Sequence, residues 1–236
     1  MALPILNNIL LHELTVPSTG KTHNFRPYLV KEEKILLQAK ESNDDKLMMK
    51  SVAKIIANCV EGINVNQLTN FDVEYLFVVL RSKSSGELVD LTYKCPECDH
   101  ENEIKVDLNK VKMNHKATDI NFDVKITDDI SITMGFLNYE NMVNRMNHKK
   151  KDNTAEGFKL ITQAIVSVNT DEERIIFADE SMKDQEAFID SLSSEQFQTV
   201  SEFISNCPTV SYTETTKCTA CKKDFEVDVK GLANFF

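Results

Sequence analysis

Two Cys-x-x-Cys motifs carry the clearest chemical signal in the sequence. Cys95 and Cys98 form the first motif, and Cys218 and Cys221 form the second, 123 residues further along the chain. Each motif follows a strand-like segment and precedes one with polar and apolar residues in alternation, which predicts two matching strand–knuckle–strand hairpins. Two thiolates at each hairpin tip can occupy two corners of a metal tetrahedron. The two knuckles therefore predict one closed, structural Cys₄ site for Zn²⁺ per chain.

The separation between the two motifs is unusual for such a site. Zinc ribbons separate their Cys pairs by about 15–20 residues, whereas 119 residues lie between Cys98 and Cys218. The intervening segment must therefore be an insertion that leaves the ribbon and returns to it. A redox dithiol and four unmetallated thiols are the alternatives. A thioredoxin-like dithiol would begin a helix in a βαβ unit, and neither pair does, so the pattern favours zinc.

The remaining candidate side chains predict no catalytic site. Cys59, on the apolar face of a helix, and Cys207, at a helix end, are interpreted as core residues. His100 is an alternative metal ligand because it closely follows Cys98, but four Cys already complete the site. The sequence contains no Gly-rich phosphate loop, nucleophile elbow or His-Glu-x-x-His motif. Because a Cys₄ site has no open coordination position, we expect a protein that is not an enzyme.

The composition restricts the class of protein further. Of 236 residues, 27 are Lys or Arg and 37 are Asp or Glu, giving a formal net charge of −10. Binding to phosphate backbones depends on Lys and Arg, so this charge disfavours nucleic acid as a partner. Only 6 Gly and 5 Pro favour a helix-rich α+β fold over turn-dense all-β architectures. No apolar run approaches the roughly 20 residues that cross a bilayer, and no signal peptide is recognisable, so we expect a soluble protein.

Hydrophobic periodicity and turn residues predict the elements that position these cysteines. A hairpin of residues 12–16 and 24–29 precedes three helices, and Thr69 with Asp72 predicts a capping box at the third. Further helices are expected at 139–146, 155–168, 185–192 and 195–204, and further strands at 122–126, 130–134 and 174–177. The predicted organisation is a hairpin plus helical bundle at 1–86, a split zinc ribbon at 87–108 and 209–231, an inserted α/β segment at 109–208 and an aromatic tail at 232–236.

A series of short segments follows a fixed order along nearly the whole chain. They are Pro17–Lys21, Phe25–Tyr28, Val30–Leu37, Phe188–Leu192, Glu195–Phe197, Glu202–Phe203, Pro208, the second knuckle and Gly231–Phe236. Their order and spacing resemble the baseplate hub proteins of T4-like contractile-tailed phages. The sequence departs from that family at Glu202-Phe203-Ile204, where an aromatic-rich Glu-Phe-Phe segment is common.

The resemblance implies a non-enzymatic tail protein that acts in assembly of the baseplate central hub through protein–protein contacts. Hub assembly factors, which act as chaperones, and hub subunits both occur in this family, and both remain open here. The implied partners are other hub and tail proteins, without nucleic acid or a membrane span. The implied location is the host cell cytoplasm during phage assembly, or the virion baseplate.

The last five residues place Leu232, Phe235 and Phe236 in an aromatic tail. Two interpretations are open: the rings pack back on the ribbon, or they anchor a partner by filling a pocket.

The alternative function is a zinc-ribbon transcription or polymerase-binding regulator, because ribbons are common in such proteins. The first knuckle is acidic and only the second is basic, which disfavours a nucleic-acid-binding ribbon. A regulator that touches protein alone stays open.

Overall fold

The computed structural model describes residues 10–145 and 153–231 and shows a mixed helix and sheet protein, which confirms the predicted α+β class. The chain divides into two compact units. Unit 1 comprises Met1–Asn114 and Thr209–Phe236, and unit 2 comprises His115–Pro208. Within the described ranges, no helix combines the length and the apolar character needed to cross a membrane.

Seven α-helices and eleven strands occur in the described residues. The helices are α1 Val30–Glu41, α2 Asp45–Cys59, α3 Asn70–Ser84, α4 Tyr139–Arg145, α5 Asn153–Ala164, α6 Met182–Ser191 and α7 Ser194–Ser205. The strands are β1 His12–Thr15, β2 Thr22–Phe25, β3 Leu88–Lys94, β4 Glu101–Asp107, β5 Lys112–Met113, β6 Asp123–Lys125, β7 Ile130–Met134, β8 Ile165–Thr170, β9 Arg174–Ile176, β10 Val210–Lys217 and β11 Asp224–Lys230.

Side-chain caps set the starts of two helices in unit 1. At α2, the Asp44 carboxylate accepts the Leu47 N–H at 3.0 Å. At α3, the Thr69 hydroxyl accepts the Asp72 N–H at 3.2 Å, and the Asp72 carboxylate accepts the Thr69 N–H at 3.0 Å. This reciprocal pair is the predicted capping box, with Asp in place of the usual Glu.

Buried polar contacts join the N-terminal hairpin to the helices of unit 1. The Asp72 carboxylate, which is fully buried, accepts both the N–H and the hydroxyl of Ser18, at 2.8 and 2.6 Å. The guanidinium of Arg26 donates to the buried carboxylate of Glu32 at 3.0 Å. Burial opposes ionisation, but Arg26 and the Leu29 N–H outweigh it and hold the pKa of Glu32 below its ordinary value. Ser18 and Arg26 lie in two of the segments that carry the family resemblance. These segments therefore help to position helices α1 and α3.

Two hairpins of unit 1 carry the cysteine motifs. Strand β3 pairs with β4 in one antiparallel sheet, and β10 lies between β11 and β5 in another. Along β11, burial alternates strictly between buried and exposed residues. One face of this strand therefore packs inward, as the period of two requires, while the other meets solvent.

Unit 2 contains a four-stranded antiparallel sheet in the order β6-β7-β8-β9, and helices α5, α6 and α7 share a hydrophobic core with it. Its buried core comprises Ile132, Met134, Ile161, Ala164, Ile165, Val168, Phe177, Ile189, Val200 and Phe203. The strand pairings are all antiparallel, so the sheet forms without the crossover connections that parallel strands require.

The helix expected at 155–168 ends earlier than predicted. Helix α5 stops at Ala164, and Ile165–Thr170 forms β8 in the middle of the sheet. The residues Ile165, Val166 and Val168 are β-branched and suit a pleated strand better than a helix. Apolar periodicity alone could not separate the two elements because the helix runs into the strand without an intervening loop.

A chain of hydrogen bonds crosses all four strands on the polar face of the unit 2 sheet. The Arg174 Nε donates to the Ser167 hydroxyl at 3.0 Å, which lies 3.1 Å from the Asn169 Oδ1. The Asn169 amide donates to the Thr133 hydroxyl at 2.9 Å, which donates to the Asp123 carboxylate at 2.7 Å. This series of hydrogen bonds links the Arg174 guanidinium on β9 to the Asp123 carboxylate on β6 and favours one strand register.

Candidate metal centre

The two cysteine knuckles have the same backbone geometry. The Cys95 N–H donates to the His100 carbonyl at 2.9 Å, and the Cys218 N–H donates to the Lys223 carbonyl at 2.9 Å. Each bond closes a loop from the first Cys of the motif to the residue five positions later. The sequence repeat is therefore also a structural repeat.

A left-handed residue completes each knuckle at the equivalent position. Asp99 has a φ of 56° and Lys222 has a φ of 61°. The N–H of Asp99 donates to the Cys95 carbonyl at 2.9 Å, and the N–H of Lys222 donates to the Cys218 carbonyl at 3.1 Å. These turns reverse the chain so that both Cys side chains of a motif lie on the same side of the hairpin tip.

The four sulfur atoms of the motifs converge. The Sγ atoms of Cys95 and Cys221 are 3.8 Å apart, those of Cys98 and Cys218 are 3.7 Å apart, and all four lie within 4.8 Å of one another. Zn–S distances of about 2.3 Å would place tetrahedral ligands about 3.8 Å apart. The donor set and its spacing therefore fit a zinc ion.

The exposure of the four cysteines is uneven. Cys95 and Cys218, the first residues of the two motifs, are fully buried. Cys221 is half-buried, and Cys98 is exposed. Of the described residues that could ligate a metal, these four cysteines form the group that converges, and His100 is not part of it.

The surroundings of the sulfurs shift the pKa values of Cys218 and Cys98 in opposite directions. Burial raises the pKa of the Cys218 thiol, but the N–H groups of Ala220 and Cys221 and the thiols of Cys221 and Cys98 outweigh it and lower that pKa to about 6. The His100 N–H lowers the pKa of Cys98, yet the neighbouring thiols of Cys221, Cys218 and Cys95 outweigh it and raise that pKa to about 12. Without a cation, thiolates this close repel one another. A divalent cation would allow all four to ionise.

Contacts beside the sulfurs also join the two hairpins. The rings of Tyr93 and Phe225 stack with centroids 6.2 Å apart, and Lys223 forms an ion pair with Glu97. The buried side chain of Asn102 reaches from the first hairpin to Thr219 in the second. Sequence reasoning missed Asn102. The signal that could have found it is a polar residue at the repeat position that Phe225 occupies in the second hairpin.

The two other cysteines lie outside this cluster. Cys59 is buried in unit 1, and Cys207 is half-buried against the core of unit 2. Burial raises the pKa of each thiol to about 11. Both thiols are therefore neutral near pH 7, in keeping with core residues.

The expected aromatic anchors Leu232, Phe235 and Phe236 lie outside the described residues. The chain leads toward them from the end of β11, where the Gly231 N–H donates to the Val210 carbonyl at 3.1 Å. Their role remains a prediction from the sequence.

Two matching knuckles and four converging thiols define an α+β protein with a four-cysteine cluster built from distant parts of its chain. The model of the T4 bacteriophage base plate protein family matches residues 10–236, and the chain belongs to this family. The match confirms the resemblance to a T4-like phage baseplate family. No curated protein and no solved structure matches the chain.

Proposed function

We propose that this chain acts, without catalysis, in the assembly of the central hub of a contractile phage baseplate through protein–protein contacts. The observation that carries the proposal is the family match over residues 10–236. A phage baseplate role follows from the family, and the assignment to the hub rests on the segments that resemble hub proteins. The same match favours this function over a transcription or polymerase-binding regulator.

We infer further that one structural Zn²⁺ per chain is held by Cys95, Cys98, Cys218 and Cys221. Their convergence within 4.8 Å supports this assignment. When bound, the ion supplies a cross-link between two hairpins, and four thiolates leave no open position for a substrate. These residues belong to two segments that 119 residues separate, so the ion would hold the split ribbon at 87–108 and 209–231 together.

The charge of the protein supports protein partners. Four thiolates with one Zn²⁺ add two negative charges to a formal charge that is already −10. In the tail, Leu232, Phe235 and Phe236 offer the large apolar side chains that anchor many interfaces. We assign them to contact with a hub or tail protein.

The experiment that tests this function is affinity purification of the tagged chain from phage-infected cells. Enrichment of hub and tail proteins is expected, whereas enrichment of polymerase subunits would overturn the proposal in favour of the regulator. Mass spectrometry of purified particles beside the infected-cell lysate then separates the two family roles. A hub subunit remains in the particle, and an assembly factor is found in the lysate alone, where it acts in the host cytoplasm.

A further inference from the structure

We propose that Asn102 is a positioning residue of the metal centre, which holds the Cys218 sulfur in place and fixes the second knuckle against the first. This inference rests on the proposed zinc site. Asn102 belongs to β4, after the first knuckle, while Cys218 begins the second.

The side-chain amide of Asn102 is fully engaged. Its Oδ1 accepts the N–H and the hydroxyl of Thr219 at 2.9 and 3.0 Å. Its Nδ2 donates to the His100 carbonyl at 3.0 Å and lies 3.7 Å from the Cys218 sulfur, as a donor to it. An amide group has two donors and one oxygen with two lone pairs, so these four contacts use its whole capacity.

The location of Asn102 makes these contacts consequential. The side chain is only 3% exposed, and an unpaired amide at that depth would cost free energy. Its two contacts with Thr219 set the distance between the hairpins. Its contact with Cys218 places a partly positive N–H hydrogen against a sulfur that would carry negative charge. Partners outside the ligand set that orient metal ligands typically change metal affinity 10–100-fold when they are lost.

The break in the repeat indicates a dedicated role. The equivalent position of the second hairpin holds Phe225, which stacks on Tyr93. An aromatic residue in both hairpins would satisfy packing alone. A polar residue in one of them supplies the donor that points at Cys218 and the acceptor for the Thr219 N–H.

The test is Asn102→Asp in the full chain, with Zn²⁺ and Co²⁺ as probes. Aspartate keeps the acceptor for Thr219 but removes the donor and places a carboxylate beside Cys218. We expect zinc affinity, measured by competition with a chelator, to fall about 10–100-fold. We also expect the thiolate-to-cobalt charge-transfer band to shift, which a general loss of stability would not produce. Asn66→Asp adds the same charge at an exposed position of unit 1 and should change neither readout.

Two further variants separate positioning from packing. Thr219→Ala removes one bond between the hairpins and leaves the donor at Cys218, so the cobalt band should stay in place. If Asn102→Asp does not fold, Asn102→Ala removes the same donor without adding charge and should also shift the cobalt band. Native affinity and an unmoved band in the folded Asn102 variants would overturn this inference alone. If the unsubstituted protein binds no zinc, both the zinc proposal and this inference are overturned.

Discussion

Asn114 and Thr209 hold each other through two hydrogen bonds, although they lie 95 residues apart in the sequence. The Asn114 N–H donates to the Thr209 carbonyl at 3.0 Å, and the Thr209 N–H donates to the Asn114 side-chain oxygen at 2.8 Å. These residues are the last and first of the two segments that make unit 1. The chain therefore leaves unit 1 and re-enters it at a single closed point.

This closure predicts that unit 1 folds without the inserted residues. Replacement of His115–Pro208 by a short Gly-Ser linker should leave a folded protein. Asn114 and Thr209 already lie next to each other, so closing a short loop between them costs little conformational entropy. Far-ultraviolet circular dichroism and zinc content measure the outcome. Cooperative unfolding with one zinc per chain is expected, and an unfolded product would contradict the division into units.

Loss of one cysteine ligand should destabilise the protein strongly. With Cys95→Ser or Cys221→Ser, the stabilisation by bound zinc is lost, and it is worth about 4 kcal/mol at a free concentration 1,000 times the Kd. The melting temperature should fall by about 8–16 °C. Cys207→Ala, outside the cluster, should keep its zinc. An equal loss of zinc in this control would contradict the assignment of ligands.

The cysteines outside the cluster should resist alkylation. Burial raises the pKa of Cys59 and of Cys207 to about 11, so both thiols are protonated near neutral pH, and only the thiolate is nucleophilic. Their reactivity with iodoacetamide, read by mass spectrometry of the native protein, should rise as the pH approaches 11. Rapid labelling of either residue near pH 7 would show that its thiol is accessible and ionised.

The aromatic tail should serve partners rather than the fold. Deletion of residues 232–236 should leave the thermal stability of the chain near its native value, because every residue of β11 is retained. The same deletion should abolish capture of hub and tail proteins from infected cells, because the anchors Leu232, Phe235 and Phe236 are lost. An unfolded deletion variant would instead place these rings in the core.

Local patterns predicted much of this structure. The capping box of Thr69 and Asp72 and the matching knuckles can be read from the sequence because a few neighbouring residues determine each of them. The convergence of Cys98 on Cys218 was expected from the repeat and from the four ligands that a structural zinc ion binds. The role of Asn102 could not be predicted, since it depends on how two hairpins face each other. Strand β8 was missed because it follows α5 without an intervening loop, so its apolar residues continue the apolar pattern of the helix.

The zinc content of the purified protein tests the central structural claim most directly. The chain should be expressed in full, purified without chelators and measured by inductively coupled plasma mass spectrometry against its protein concentration. The four converging sulfurs predict one zinc per chain in the native protein. The Cys95→Ser variant should have lost this zinc. Zinc well below one equivalent in the native protein would contradict the metal centre proposed for Cys95, Cys98, Cys218 and Cys221.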